Sequence, residues 1–368
     1  MKIFVFGSSI TSSYWNGAAT YYRGIYKQLH ARGHSIVFAE PDAYGRLQNR
    51  DAGDFSFVKS VVYSSADAIS ALLRQAGDCD LVIKHSGVGV FDELLEEKIL
   101  ECRSPSTLVA FWDVDAPATL ARVEANPGDP FRGLIPEYDL IFTYGGGPPV
   151  VEHYHRLGAA NCHPIYNALD PETHHPVSPD PAWRCDLLFA GHRLPDRERR
   201  VEEFFIKAAR LAPEYQFVLG GEGWADKLLP PNVRRIGHVG TRDHNRLNCS
   251  ARMVLNINRD SMAEVGFSPP TRIFEAAGAG ACVISDRWKG IEDFFTPQRE
   301  ILVAGSAEEV VHHLRGCGSI QAAAIGGRMR QRALHEHTYG LRAQLFDSIV
   351  SQAGTTGTLR RTITGLTL

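Results

Sequence analysis

Ser268, Arg272 and Glu275, in the stretch FSPPTRIFEAAGAGACVISD, are spaced by four and three residues. That interval carries side chains up one face of a helix. Ser268 can cap such a helix, and Pro269 and Pro270 suit its first positions, where a missing amide hydrogen loses no helix bond. Free amides at a helix start, joined by an arginine, form a cradle for phosphate oxygens. Deeper on the same face, a carboxylate can accept hydrogen bonds from two vicinal hydroxyls, such as those of a ribose. Ala276, Ala277, Gly278 and Gly280 then let the helix lie close against a sheet. The plain alternative is an exposed Arg272/Glu275 helix pair contributing about 0.2–0.5 kcal/mol.

The first half offers weaker chemistry. LVAFWDVD, ending in Asp113 and Asp115, is an apolar strand closed by an Asp-x-Asp. Two carboxylates at that spacing can grip one hard cation, but the pattern is short and the helix start at Thr271 already supplies a phosphate cradle, so no metal is expected. Asp113 or Asp115, at a strand end, can instead take a proton from an acceptor hydroxyl. A helix cap suits Asp115 equally well, ahead of Pro117 to Glu124. His85, after LVIK, is a second base candidate, with a hydrogen-bonded loop residue as its plain reading. The loop from Gly7 lacks G-x-G-x-x-G; Trp15, Asn16 and Gly17 in it are candidate acceptor contacts, while Tyr21 and Tyr22 suit a flat face for a sugar ring and packing equally. Tyr144-Gly145-Gly146-Gly147-Pro148, after a strand, reads first as a flexible cleft lip and second as a binding loop.

Positioning these groups requires strands alternating with helices. Apolar runs at Ile3 to Phe6, Ser35 to Ala39, Leu81 to Lys84, Leu108 to Trp112 and Leu140 to Thr143 predict a parallel sheet, with a helix over Thr20 to Ala31. After the proline-rich ALDPETHHPVSPDPAW, read as a linker, strands are predicted at Cys185 to Ala190, Gln216 to Gly220, Val233 to Gly237, Met253 to Ile257 and Ala281 to Ser285. Helices over Arg197 to Leu211, Asp243 to Ala251, Thr271 to Ala279 and Ala307 to Arg315 fill the gaps, and a last one covers Tyr339 to Val350. Residues 351–368, rich in Thr and Gly, have no amphipathic pattern and are expected to be a flexible tail. Two such α/β halves suggest ligand loops beyond the carboxyl ends of the strands, lining a cleft.

The 368 residues suit two domains. With 44% hydrophobic and 22% charged residues and a net charge of −3, the composition is that of a globular enzyme and gives no basic excess for nucleic acid. Seven scattered cysteines without a CxxC predict neither a zinc site nor a disulfide framework and fit a reduced cytoplasm. MKIFVFGSS reads as a first strand without the apolar core of a secretion signal. No run approaches the roughly 20 apolar residues of a membrane span.

The run FSPPTRIFEAAGAGACVISDRWKGIEDFF resembles the nucleotide-sugar motif of GT-B glycosyltransferases, in particular the CgeB-like branch. DLLFAGHRLPDRERR, VLGGEGW and IGHVG are similar to the same group, so the likeness covers the second half well and the first only in general form. It implies two Rossmann-like domains: residues 1–170 for the acceptor, residues 171–338 for a nucleotide-sugar donor, and a helix at 339–350 crossing back to the first. It further implies Glu275 at the donor ribose, Ser268, Thr271 and Arg272 at the diphosphate, Arg193 in the Gly191 loop adding charge, and Arg197 as a weaker candidate. Many retaining members carry a second glutamate where this chain has Phe267; Glu264 is out of register, so the stereochemical course stays open.

The reading is a hexosyltransferase-like enzyme without metal or cofactor, moving sugar from a nucleoside-diphosphate donor, UDP-sugar foremost, to a hydroxyl on a saccharide, small molecule or protein. Arg272 would stabilise the departing diphosphate and Asp113, Asp115 or His85 would activate the acceptor. An epimerase or hydrolase on the same fold, or a non-catalytic module binding nucleotide sugar, stays open beside it.

Overall fold

The computed structural model describes residues 1–14 and 16–364, leaving aside the side chains of Thr241 and residues 355–364. In chain order the first elements are β1 (Lys2–Phe6), α1 (Ala19–Ala31), β2 (Ser35–Pro41), β3 (Lys59–Tyr63), α2 (Ala66–Ala76), β4 (Leu81–His85) and α3 (Asp92–Lys98). β5 (Leu108–Asp113), α4 (Ala116–Ala125), α5 (Pro130–Leu134), β6 (Leu140–Thr143), α6 (Gly147–Arg156) and β7 (Cys162–Pro164) follow. Next come β8 (Cys185–Ala190), α7 (Pro195–Val201), a π-helical segment at Glu202–Lys207, α8 (Ala208–Leu211), β9 (Phe217–Gly220), β10 (Val233–Gly237) and α9 (Thr241–Ser250). The remaining elements are β11 (Ala251–Asn256), α10 (Asp260–Val265), α11 (Thr271–Gly278), β12 (Val283–Asp286), β13 (Leu302–Ala304), α12 (Ala307–Gly316), α13 (Ser319–Glu336) and α14 (Tyr339–Thr364).

The chain divides into two compact units, residues 1–166 with 339–368, and residues 167–338. Each is built on one parallel sheet, ordered β3-β2-β1-β4-β5-β6-β7 in the first and β10-β9-β8-β11-β12-β13 in the second. Central strands such as β1 and β4 are apolar and buried over Ile3 to Phe6 and Leu81 to Ile83, because helices cover both faces of a parallel sheet. In the second unit Leu187, Phe189, Phe217, Leu219, Met253 and Leu255 share one core with Phe205 and Val310.

The strand order reverses direction beside β1 in the first unit and beside β8 in the second. Loops that leave neighbouring strands at such a point turn to opposite faces and open a crevice. In the second unit, that crevice lies between the loop after β8 and the loop after β11.

α14 belongs to the first unit. Tyr339 lies where a Cβ on Gly24 of α1 would stand 2.2 Å from its ring. Phe346 stacks on Trp112 with ring centroids 5.6 Å apart, and Asp347 pairs with Arg32 at 2.6 Å and His34 at 2.8 Å. The helix continues to Thr364, so residues 351–364 are helical where a flexible tail was expected. No proline interrupts the chain from Tyr339 onward, and nothing removes an amide from the ladder.

Candidate functional site

α11 starts at Thr271, as its predicted span has it, but without Ser268 as its cap. Gly266 and Phe267 both have positive φ, 78° and 47°, and Pro270, in extended backbone, occupies the position before the helix. Ser268 is therefore not the helix cap. Its hydroxyl donates to the Gly266 carbonyl at 2.9 Å and is buried. A cap would draw on the N–H of the second or third following residue, and the second is Pro270, which has none. Only Arg272 and Glu275 of the expected trio rise from α11 itself. Thr271 takes its first position, where the amides have no acceptor within the helix.

Arg272 reaches back to the end of β8. Its Nε donates to the Ala190 carbonyl at 2.7 Å, and its guanidinium lies 5.1 Å from the Phe189 ring centroid. Arg197 approaches from α7 to the same ring, at 5.6 Å, and donates to the His192 carbonyl. The two meet at Gly191, where a Cβ would stand 2.8 Å from Arg272 Nη2 and 3.0 Å from Arg197 Nη2. Glycine is required there because any side chain would fill the space between them.

Neighbouring arginines each have a carboxylate. Arg200 pairs with buried Asp286 at 2.5 Å, Arg259 with Asp196 at 2.5 Å, and Arg193 with Glu198 at 2.6 Å and Asp226 at 2.9 Å. Among the described residues, Arg197 and Arg272 have none within ion-pair distance. Burial, then the Arg272 charge, lowers the Arg197 pKa to about 9. Burial lowers that of Arg272, against the pull of Glu275 and Asp286. Nε of Arg197 is buried without a hydrogen-bond partner. Two like charges held together in this way suit an anion with several oxygens.

Arg193 serves the loop instead. Besides its two carboxylates it donates to the Gly223 carbonyl at 3.3 Å, and those acids hold its pKa above the ordinary value. Trp224 Nε1 donates to the Gly191 carbonyl at 2.8 Å, and the Glu222 amide to His192 Nδ1 at 3.0 Å. At Gly221, with φ 111°, a Cβ would strike the Gly191 carbonyl oxygen at 2.3 Å. GHRLPDRERR and VLGGEGW are thus one braced double loop at the carboxyl end of β8 and β9. The exposed His192 ring stacks on His238, with centroids 5.9 Å apart.

Glu275 stands one turn beyond Arg272 and is partly exposed. Among the described residues neither carboxylate oxygen accepts a hydrogen bond; His174 Nε2 lies 4.0 Å from Oε1 and His244 Nδ1 lies 3.8 Å from Oε2. Both histidines escape sequence reasoning, His174 because THHP falls in the stretch that reads as a linker.

The first-unit candidates are placed differently. Asp113 is fully buried and accepts from Tyr154 at 2.6 Å, Ser86 at 2.7 Å, Thr119 at 3.0 Å and the Asp115 amide at 2.9 Å. Burial raises its pKa against those donors. It ties β4, β5, α4 and α6 together and has no open side for a substrate. Asp115 is partly exposed at the start of α4, and its side chain makes no cap bond. Asn16 is buried, bonded to Ser8 and to the carbonyls of Ser9 and Ser12. Gly17 is exposed with open space around it, and Trp15 lies outside the described residues. Among those residues no group of three or more His, Cys, Asp or Glu side chains is placed to hold a metal ion, and no helix is long and apolar enough to cross a membrane.

His85 is fully buried rather than facing a ligand, with Tyr22 and Trp112 at 4.4 and 5.3 Å between ring centroids and Tyr26 Oη 2.6 Å from Nε2. Burial and then the Lys84 charge lower its pKa to about 3. The unfolded imidazole titrates near 6.5, so between these values the unfolded chain binds the extra proton and stability falls as pH falls. Relative to His85→Phe, the native protein should lose about 2 kcal/mol between pH 7 and pH 5, as measured by urea unfolding at the two pH values.

Two Rossmann-like units of this strand order, with the last helix belonging to the first, have the GT-B fold. A family model described as "Glycosyl transferase-like" matches residues 197–348. Among solved structures, HepE of Anabaena, determined with UDP and glucose, superposes with a TM-score of 0.69 at 13% identity, over 96% of this chain and 100% of that one. Sucrose-phosphate synthase of Thermosynechococcus elongatus gives 0.72 at 12% identity, over 97% and 100%. An alpha-glucosyltransferase in complex with UDP-glucose and DNA gives 0.68 at 15% identity, over 95% and 99%. No curated protein matches the chain in sequence.

Proposed function

We propose that the chain is a glycosyltransferase that takes its sugar from a nucleoside-diphosphate donor held by the second unit. The carrying observation is the meeting of Arg197 and Arg272 at Gly191 without a carboxylate partner among the described residues. Two diphosphate oxygens would answer those guanidiniums, with the Thr271 and Arg272 amides adding donors at the start of α11. Glu275, one turn along the helix, would accept from the ribose hydroxyls. The fold and the "Glycosyl transferase-like" match over residues 197–348 support the same reading.

Breaking a sugar–phosphate bond puts negative charge on the leaving diphosphate. Fixed guanidiniums in a partly dehydrated site stabilise that charge more than the ground state. With this much positive charge supplied by the chain, the reaction is proposed to run without a metal. Asp115 is the partly exposed member of the three base candidates, since Asp113 and His85 are enclosed. The acceptor is a hydroxyl compound, and within the class we place the chain with the CgeB-like branch on the run Phe267 to Phe295.

The test is a melting-temperature screen against UDP, GDP, ADP, CMP and dTDP, with EDTA and with magnesium or manganese. A ligand at 100 times its dissociation constant should add about 2.7 kcal/mol. A shift with one diphosphate that survives EDTA is expected. A shift only with metal would overturn the metal-free reading, and no shift with any diphosphate would overturn the donor site. Release of free sugar without an acceptor would move the assignment to a hydrolase.

A further inference from the structure

The geometry points to His174 as a second reader of the donor's sugar hydroxyls, forming with Glu275 a clamp that selects a particular ribose hydroxyl. The inference rests on the donor-site reading above. His174 is 3% exposed, and among the described residues neither of its ring nitrogens has a hydrogen-bond partner. The neighbouring Asn245 side chain favours the charged ring, but the bonds it completes are a donation to the Thr173 carbonyl at 2.9 Å and an acceptance from the His175 amide at 3.3 Å. An imidazole buried in this state is costly unless something completes it.

Its position is fixed from two sides. The His174 amide donates to the Asp170 carbonyl at 2.9 Å, closing a turn that Asn245 straps to α9. On the other side it abuts α11 at Gly278, where a Cβ would stand 2.6 Å from the His174 carbonyl oxygen and 2.9 Å from its Cβ. Gly278 follows Glu275 by three residues and lies on the same helix face. The close approach therefore sets the ring beside the carboxylate.

The separation of His174 Nε2 from Glu275 Oε1, 4.0 Å, is too long for a direct hydrogen bond. A hydroxyl oxygen about 2.8 Å from each closes that triangle, accepting from the imidazole N–H and donating to the carboxylate. At the other oxygen, His244 Nε2 donates to the Val239 carbonyl at 3.2 Å, and its Nδ1 lies 3.8 Å from Oε2. A second ligand hydroxyl placed there can donate to the Glu275 carboxylate. A vicinal diol matches both gaps, and a sugar lacking the hydroxyl at His174 leaves buried polar groups unanswered.

The test compares UDP, ADP and GDP with their 2′-deoxy and 3′-deoxy counterparts by calorimetric titration. Native protein should prefer the ribonucleotide over at least one counterpart by about 30-fold or more. His174→Phe should reduce that one preference to within about 3-fold, and His174→Asn, which keeps a donor and an acceptor, should retain part of it. Equal weakening toward all three sugars, or unchanged preference in His174→Phe, would overturn the clamp while leaving the donor site standing. Absence of nucleotide binding by native protein would instead overturn the donor-site reading. Should His174→Phe fail to fold, a reduced preference in His174→Asn supports the clamp and an undiminished preference overturns it.

Discussion

Arg197→Met and Arg272→Met should each weaken nucleoside-diphosphate binding about 10- to 100-fold and lower the transfer rate further, while the unliganded protein stays as stable as before or becomes more so. A hydrogen bond to a charged group contributes about 1.5–3 kcal/mol, and a donor aimed at charge in the transition state about 3–4 kcal/mol. Stability should move the other way because burial, and then the Arg272 charge, both disfavour the charged form of Arg197 and lower its pKa to about 9. Methionine keeps an apolar stem against Phe189 and removes the repulsion. Calorimetric titration with UDP, GDP and ADP, beside thermal unfolding, checks both halves. Full affinity in both variants would remove the anion site; a large loss of stability would mean that the arginines are structural.

Glu275→Ala should cost donor affinity about 100-fold or more without unfolding the protein. The carboxylate is partly exposed and, among the described residues, accepts no hydrogen bond, so its removal breaks no internal bond. Two ligand hydroxyls on a charged acceptor would each contribute about 1.5–3 kcal/mol. Glu275→Gln keeps the shape and one acceptor oxygen, so its loss should be smaller. The comparison is made by titration with a nucleoside diphosphate and with inorganic diphosphate. Diphosphate binding should be nearly unchanged in Glu275→Ala, because its oxygens belong at the arginines; parallel loss of both ligands would sink the ribose assignment.

The central strands were legible because helices bury both their faces, leaving continuous apolar runs such as IFVF and LVI. β3, β7 and β13 were not: all three are edge strands, short or with outward-facing polar residues, and periodicity gives them little signal. Arg272 and Glu275 could be found because helix spacing is local. Which other arginine keeps an uncompensated charge could not, since Arg193 is neutralised partly by Asp226 in a different loop while Arg197 lies buried beside Arg272. Asp113 and His85 show the same limit from the other side. Both were rightly placed at strand ends, but what enclosed them, Tyr154 on α6 and Tyr22 and Tyr26 on α1, is brought there by the fold.

The place of α14 in the first unit has a consequence for synthesis. The ribosome delivers β1 through β7 early, yet Trp112 and Phe142 wait for Phe346, 5.6 and 5.3 Å away in the finished protein. All of the second unit is made in between, which takes about ten seconds or more at ordinary elongation rates. Until then an aromatic surface of the nascent first unit has no cover of its own. The second unit, continuous from Asn167 to Thr338, has all of its sequence available for folding before the first is finished.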